Sequence, residues 1–157
     1  MTELPAYMTG LIATALIVAL TAWAHSPARS QLLRTALVII ANWFAGVIYV
    51  HNTGNTTPWQ FSLFIDSAAA FAVMFHPAGR AQGYIGAFYC FQIAGHVAYG
   101  GRHLEGLPAD PVFYYDAITY VAWAQLFALG AWCGGIWLGD VLPWVRGSGH
   151  ALDRGKG

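Results

Sequence analysis

From Ala36 to Val50 the chain carries no ionisable side chain except Tyr49. Such a run is tolerated only where water is absent on all sides, in a protein core or in lipid. The composition decides between them. Of 157 residues only 9% are Asp, Glu, Lys or Arg, the mean hydropathy is +0.50, and soluble domains carry about 25% charge. So few charges cannot cover a water-facing surface. The expected fold is therefore all-α: a polytopic membrane bundle of five transmembrane helices over residues 1–145, followed by a short flexible cytoplasmic tail at 146–157.

Crossing roughly 30 Å of hydrocarbon at 1.5 Å per residue takes about 20 residues. Segments that meet this length run from Leu4 to Ala24, Leu32 to Val50, Trp59 to Phe75, Arg80 to Gly100 and Val112 to Gly139. Ser26-Pro27, Thr57-Pro58 and Asp110-Pro111 each set a capping oxygen before a proline suited to the first helical turn, and Gln60 completes a capping box with Thr57. The tight link His76-Pro77-Ala78-Gly79 makes the third and fourth spans antiparallel neighbours. An Ala22-Trp23-Ala24 cleavage site is the competing reading of the first span, but the preceding region has Glu3 and no lysine or arginine, so the span is expected to be retained.

Orientation follows from the basic residues. Arg29, Arg34, Arg80, Arg146, Arg154 and Lys156 fall on one side and Arg102 on the other, which puts the N-terminus outside and the C-terminus in the cytoplasm of a bacterial-type inner membrane. Glycines four apart, at 79 and 83, 130 and 134, and 135 and 139, predict close helix contacts, within the chain or with a second subunit.

Polar residues inside the spans are the candidates for function, because lipid penalises them by about 2.5 to 3.5 kcal/mol for an acid at mid-helix. Asn42, Asp66 and Gln92 each lie eight residues from an expected outer boundary, about 12 Å deep at 1.5 Å per residue. They are expected to form one intramembrane polar layer, with Asp66 hydrogen-bonded to Asn42, Gln92 or both. Above it, Tyr89, Gln92, His96, Tyr99 and His103 repeat at separations of three and four on one face. With Asp116 and Tyr120 of the fifth span opposite, the expectation is an open outer cleft lined by Tyr89, His96, Tyr99, Asp116 and Tyr120, in which His96 bonds Asp116.

These residues favour no cofactor. A haem held by two histidines would need a partner for His96 at matching depth, for which His51 is the candidate, and a divalent metal would draw on His51, His96, His103 and Asp116 without any local ligand spacing. Cys90 and Cys133 read as reduced, buried small residues. No phosphate-binding loop or nucleophile elbow occurs, so an enzyme is not expected, and no basic cluster suits nucleic acid. The expected partners are the lipid bilayer and a homo-oligomer or larger membrane complex, met through glycine-rich helix faces. Three functions remain: an accessory or structural membrane protein, a small transport, proton-handling or quinone-contacting component using Asp66, and a holin-like oligomeric pore.

Overall fold

The computed structural model describes residues 3–22, 29–55, 58–75 and 80–153, and among them every regular element is an α-helix. Five helices follow in order: α1 (Glu3–Ala22), α2 (Arg29–Thr53), α3 (Trp59–Met74), α4 (Arg80–Leu104) and α5 (Pro111–Asp153). Each packs on the next, and α5 closes the bundle by returning to α1 and α2. The end at which α2 meets α3 and α4 meets α5 is termed the upper end.

Local chemistry explains the upper boundaries. Gly54, at φ +66°, ends α2 with its N–H bonded to the Val50 carbonyl at 2.9 Å, a left-handed cap that glycine adopts without a Cβ clash. Gly106, at φ +68°, ends α4 with two bonds, Gly106 N–H to His103 O at 3.2 Å and Leu107 N–H to Arg102 O at 2.9 Å, the paired pattern of a Schellman stop. The fourth helix therefore runs one turn past Gly100, where hydropathy placed its end. Asp110 Oδ1 accepts from the N–H groups of Val112 and Phe113 at 2.9 and 3.2 Å, so Pro111 opens α5 as expected. Pro58, by contrast, is the residue before α3 rather than its first, and it makes no side-chain cap. Thr57, Ser26-Pro27, His76 to Gly79, Arg154 and Lys156 lie outside the described residues.

At the lower end α3 is capped by its neighbours. Arg34 of α2 donates to the Ala72 carbonyl at 2.7 Å, and Gln82 of α4 donates to the Val73 carbonyl. Both carbonyls belong to the last turn, where no intrahelical N–H remains to satisfy them. Arg34, read from sequence as an orientation marker, thus also neutralises a helix C-terminus. The fifth helix passes Pro143 and stays helical to Asp153, so residues 146–153 of the expected flexible tail are helical. Its 43 residues reach about 64 Å, twice the thickness of a bilayer core.

The lower half of the core is largely apolar, although Thr35 and Gln82 are buried there too. Leu32, Ile39, Val73, Ile85 and Leu129 are fully buried in the lower half, with Ala36, Leu126 and Cys133 beside them. Close approach at glycine occurs elsewhere than predicted. A Cβ on Gly10 would meet the Trp43 ring at 2.0 Å, one on Gly86 the Met74 side chain at 2.7 Å, and one on Gly100 the Trp59 ring at 2.4 Å. At Gly83, Gly134 and Gly135 nothing lies within 4 Å, and Gly130 has only an ordinary contact with Ile17 at 3.8 Å. Among the described glycines of these pairs, only Gly130 touches another helix: the buried stripe of α5 is set by Leu126, Leu129, Cys133 and Ile136, which turns Gly134 and Gly135 outward. Cys90 is exposed, not buried, while Cys133 is buried; neither is in a disulfide.

Among the described residues two helical segments, Arg29–Thr53 and Pro111–Ile136, are long and apolar enough to cross a membrane, and α3 is apolar but shorter. The surface is apolar far beyond these two. Phe64, Phe71, Phe91 and Phe127 are 72%, 67%, 66% and 76% exposed, whereas Asp66, Gln82, Gln92, His96 and Gln125 are buried.

Candidate functional site

Asp66 lies seven residues inside the upper end of α3 and His96 eight residues inside that of α4, about 11 and 12 Å down. They meet side chain to side chain. The His96 Nε2 atom is 2.8 Å from Asp66 Oδ2, with both side chains almost wholly buried. Asn42 of α2 donates through Nδ2 to Asp66 Oδ1 at 2.7 Å. On the far side of the imidazole, His96 Nδ1 is 2.7 Å from the Tyr114 hydroxyl of α5. One hydrogen-bonded chain, Asn42–Asp66–His96–Tyr114, therefore ties four successive helices together.

The direction of these bonds defines the charge. With a neutral imidazole, Nε2–H donates to Asp66 and Nδ1 accepts from the Tyr114 O–H, so every group facing the carboxylate donates to it. That stabilises an ionised Asp66, at the cost of one net negative charge in the interior. Protonating His96 removes the net charge. Nδ1–H then donates to the Tyr114 oxygen, and the hydroxyl turns its own proton away. In either arrangement both ring nitrogens of His96 have a partner. A carboxylate–imidazole pair of this kind can hold one proton in either arrangement.

Tyr89 is fully buried about two turns below His96 on α4, and its hydroxyl adjoins the Asn42 side chain without a hydrogen bond of ordinary geometry. The Asn42 Oδ1 atom is likewise buried and without a partner. A hydrogen bond from the Tyr89 O–H to Asn42 Oδ1 would extend the chain to five groups.

Gln92 does not reach Asp66. It accepts from Gln125 Nε2 of α5 at 2.8 Å, forming a second polar contact one turn below the first. The expected layer of Asn42, Asp66 and Gln92 thus divides, because α4 extends a turn past Gly100 and brings His96, not Gln92, level with Asp66. Nor does His96 bond Asp116. Tyr114 is the buried residue of that turn, while Asp116 and Tyr120 are exposed; two residues along a helix is a rotation of about 200°, so Asp116 faces away when Tyr114 faces in.

The open outer cleft expected from Tyr89, His96, Tyr99, Asp116 and Tyr120 is accordingly absent: Tyr89 and His96 are sealed inside, and Asp116 and Tyr120 point out. What opens at the upper end is a cavity of about 310 Å³ lined by Asn55, Trp59, Gln60, Tyr99, His103 and Leu104. Tyr99 links it to the buried chain by stacking on Tyr114 at 4.2 Å and 21°. Sequence reasoning missed Tyr114, Trp59 and Gln60 as site residues. Asp110-Pro111 could have found Tyr114, since it fixes the start of α5 and hence the phase of its inner face.

Among the described residues no three His, Cys, Asp or Glu side chains gather as a metal site. The four weighed for one are scattered, with His51, His103 and Asp116 exposed and His96 buried. Both ring nitrogens of His96 are engaged, which leaves neither for a haem iron. No protein-family model, curated protein or solved structure matches the chain.

Proposed function

We propose that the chain is a multi-pass membrane protein of five spans, N-terminus outside and C-terminus cytoplasmic, in a bacterial-type inner membrane, and that it binds and releases one proton at Asp66–His96. The observation that carries this reading is the inversion of polarity: Asp66 and His96 are 4% and 1% exposed and hydrogen-bonded to each other, inside a shell of exposed phenylalanines. Water would penalise that shell, whereas lipid matches it and makes a buried acid a functional candidate. The composition of α4 agrees with a span of this kind. Its polar residues Gln82, Gln92 and His96 lower its average hydropathy yet are buried, and the side it exposes carries Tyr84, Phe91 and Val97.

The test is proton counting on protein reconstituted in lipid. A step to acid, read by a pH indicator, should show one proton taken up that is missing in both His96→Gln and Asp66→Asn. Equal uptake by the wild type and both variants would exclude the pair as the site.

A second reading, an accessory or structural protein within a larger membrane complex, is favoured by the open glycine face of α5, where Gly134 and Gly135 meet nothing. It keeps the hydrogen-bonded chain as interhelical glue. Under it, Asp66→Asn leaves the protein's cellular role intact. Under proton binding, the same substitution folds and abolishes a pH-dependent activity.

A further inference from the structure

The upper cavity is chemically unlike the rest of the surface. No Asp, Glu, Lys or Arg lines it; its walls are the aromatic rings of Trp59, Tyr99 and His103, and Asn55 and Gln60 add amide groups. Tyr99 and His103 present nearly parallel rings, 9° apart with centroids at 6.4 Å. The wall is also built. Trp59 occupies the space left by Gly100, where a Cβ would lie 2.4 Å from the indole. At about 310 Å³ the cavity is at the small end of ligand pockets, roughly 300 to 1,000 Å³, enough for one substituted six-membered ring.

Each feature selects a ligand property. Uncharged walls select a neutral group, since a charged one would be desolvated without a counter-ion. Flat aromatic walls select a planar ring. Amide and imidazole N–H groups select carbonyl oxygens as acceptors. The rim residue Leu104 is 74% exposed at the end of a helix read here as a membrane span, which suits a molecule arriving from lipid with an apolar tail. Behind the pocket, Tyr99 stacks on Tyr114, whose hydroxyl meets His96.

We propose that this pocket binds the headgroup of a lipid-borne quinone, its ring beside Tyr99 and Trp59 and its carbonyl oxygens facing Gln60, Asn55 and His103. The proposal rests on the membrane and proton-binding reading, since a ring that exchanges protons gains a purpose one aromatic layer from Asp66–His96. It concerns binding alone.

The experiment titrates protein in lipid nanodiscs with a short-chain benzoquinone bearing one isoprene unit and reads tryptophan emission. The expected result is a saturable quenching component that disappears in Trp59→Phe. His103→Ala and Gly100→Ala should each raise the half-saturating concentration about tenfold, the loss of one anchoring contact or of the indole's seat, while Asp116→Asn leaves it unchanged. His103 is exposed, so its variant stays informative if Gly100→Ala misfolds. Quenching that rises linearly without saturation, or that is the same in His103→Ala as in wild type, would overturn the proposal. So would saturable binding of a methyl glycoside with no response to the quinone, which would mark a sugar pocket. Repeating the titration in His96→Gln separates the two ideas: unaltered quinone binding there supports the pocket whether or not proton uptake was found.

Discussion

At Asp66 the carboxylate receives donors from two sides, Asn42 on one and His96 on the other, and the consequences of replacing it follow from counting them. Asparagine keeps an oxygen for Asn42 and offers an N–H to His96 Nε2, which the imidazole accommodates by moving its own proton to Nδ1 and donating to Tyr114. Asp66→Asn should therefore fold, with thermal stability in detergent close to wild type. Asp66→Leu orphans two buried donors and should cost about 1 to 3 kcal/mol. Equal melting temperatures for Asn and Leu would mean that the donors find other partners. Tyr114→Phe removes only the group facing Nδ1 and should cost about 1 kcal/mol. Nitrogen NMR of His96 in lipid reads this change without reference to activity: the Nδ1 resonance should lose its hydrogen-bonded shift in the phenylalanine variant, and an unchanged resonance would contradict the Tyr114 contact.

The helices show why some of this was legible in the sequence and some was not. Hydropathy located five helices because lipid-length apolar runs and Asp110-Pro111 are local signals. It misplaced the end of α4 because Gly101 to His103 look polar, although the stopping chemistry lies at Gly106, with Pro108 two residues on. Counted from that stop, His96 falls level with Asp66, so a turn motif carried the register that hydropathy lacked. Tyr114 was missed for a different reason: a stripe through Asp116 and a stripe through Tyr114 are equally periodic, and only packing against α4 chooses between them. Gly83, Gly134 and Gly135 lie open within the chain for a like reason, since spacing identifies a smooth face but not what covers it. Leu126 is 5% exposed and Gly134 is open, which fixes the outcome of a paired test. Leu126→Ala should lower thermal stability by about 2 kcal/mol or more through the cavity it leaves, and Gly134→Leu should leave the isolated chain's stability unchanged. A Gly134→Leu variant that melts as early as Leu126→Ala would show that α5 is rotated from the orientation described.

For the whole molecule, polarity divides the bundle from inside to outside, and the buried acid and imidazole lie in its upper half alone among the described residues. The hydrogen-bonded chain and the aromatic pocket occupy the upper half, and below them Ile39, Val73, Ile85 and Leu129 fill the interior, with the uncharged polar side chains of Gln125, Thr35 and Gln82 buried among them. Among the described residues no buried Asp, Glu, His, Lys or Arg lies below Asp66–His96, so the proposed proton site communicates with the upper face alone. Vesicles containing the protein should hold an imposed pH gradient as long as empty ones, and rapid collapse would indicate a conducting pore instead. All of this presumes that lipid surrounds the bundle and that its ends face opposite compartments. Single cysteines at Asn55 and Ser148, with Cys90 and Cys133 replaced, test that most directly, using a membrane-impermeant thiol reagent on intact cells. Labelling at 55 with protection at 148 until the membrane is opened is the expected result. Protection at 55 with labelling at 148 would invert the protein in the bilayer, and recovery of the chain in the soluble fraction with both positions reactive on lysis would contradict the membrane-spanning bundle itself.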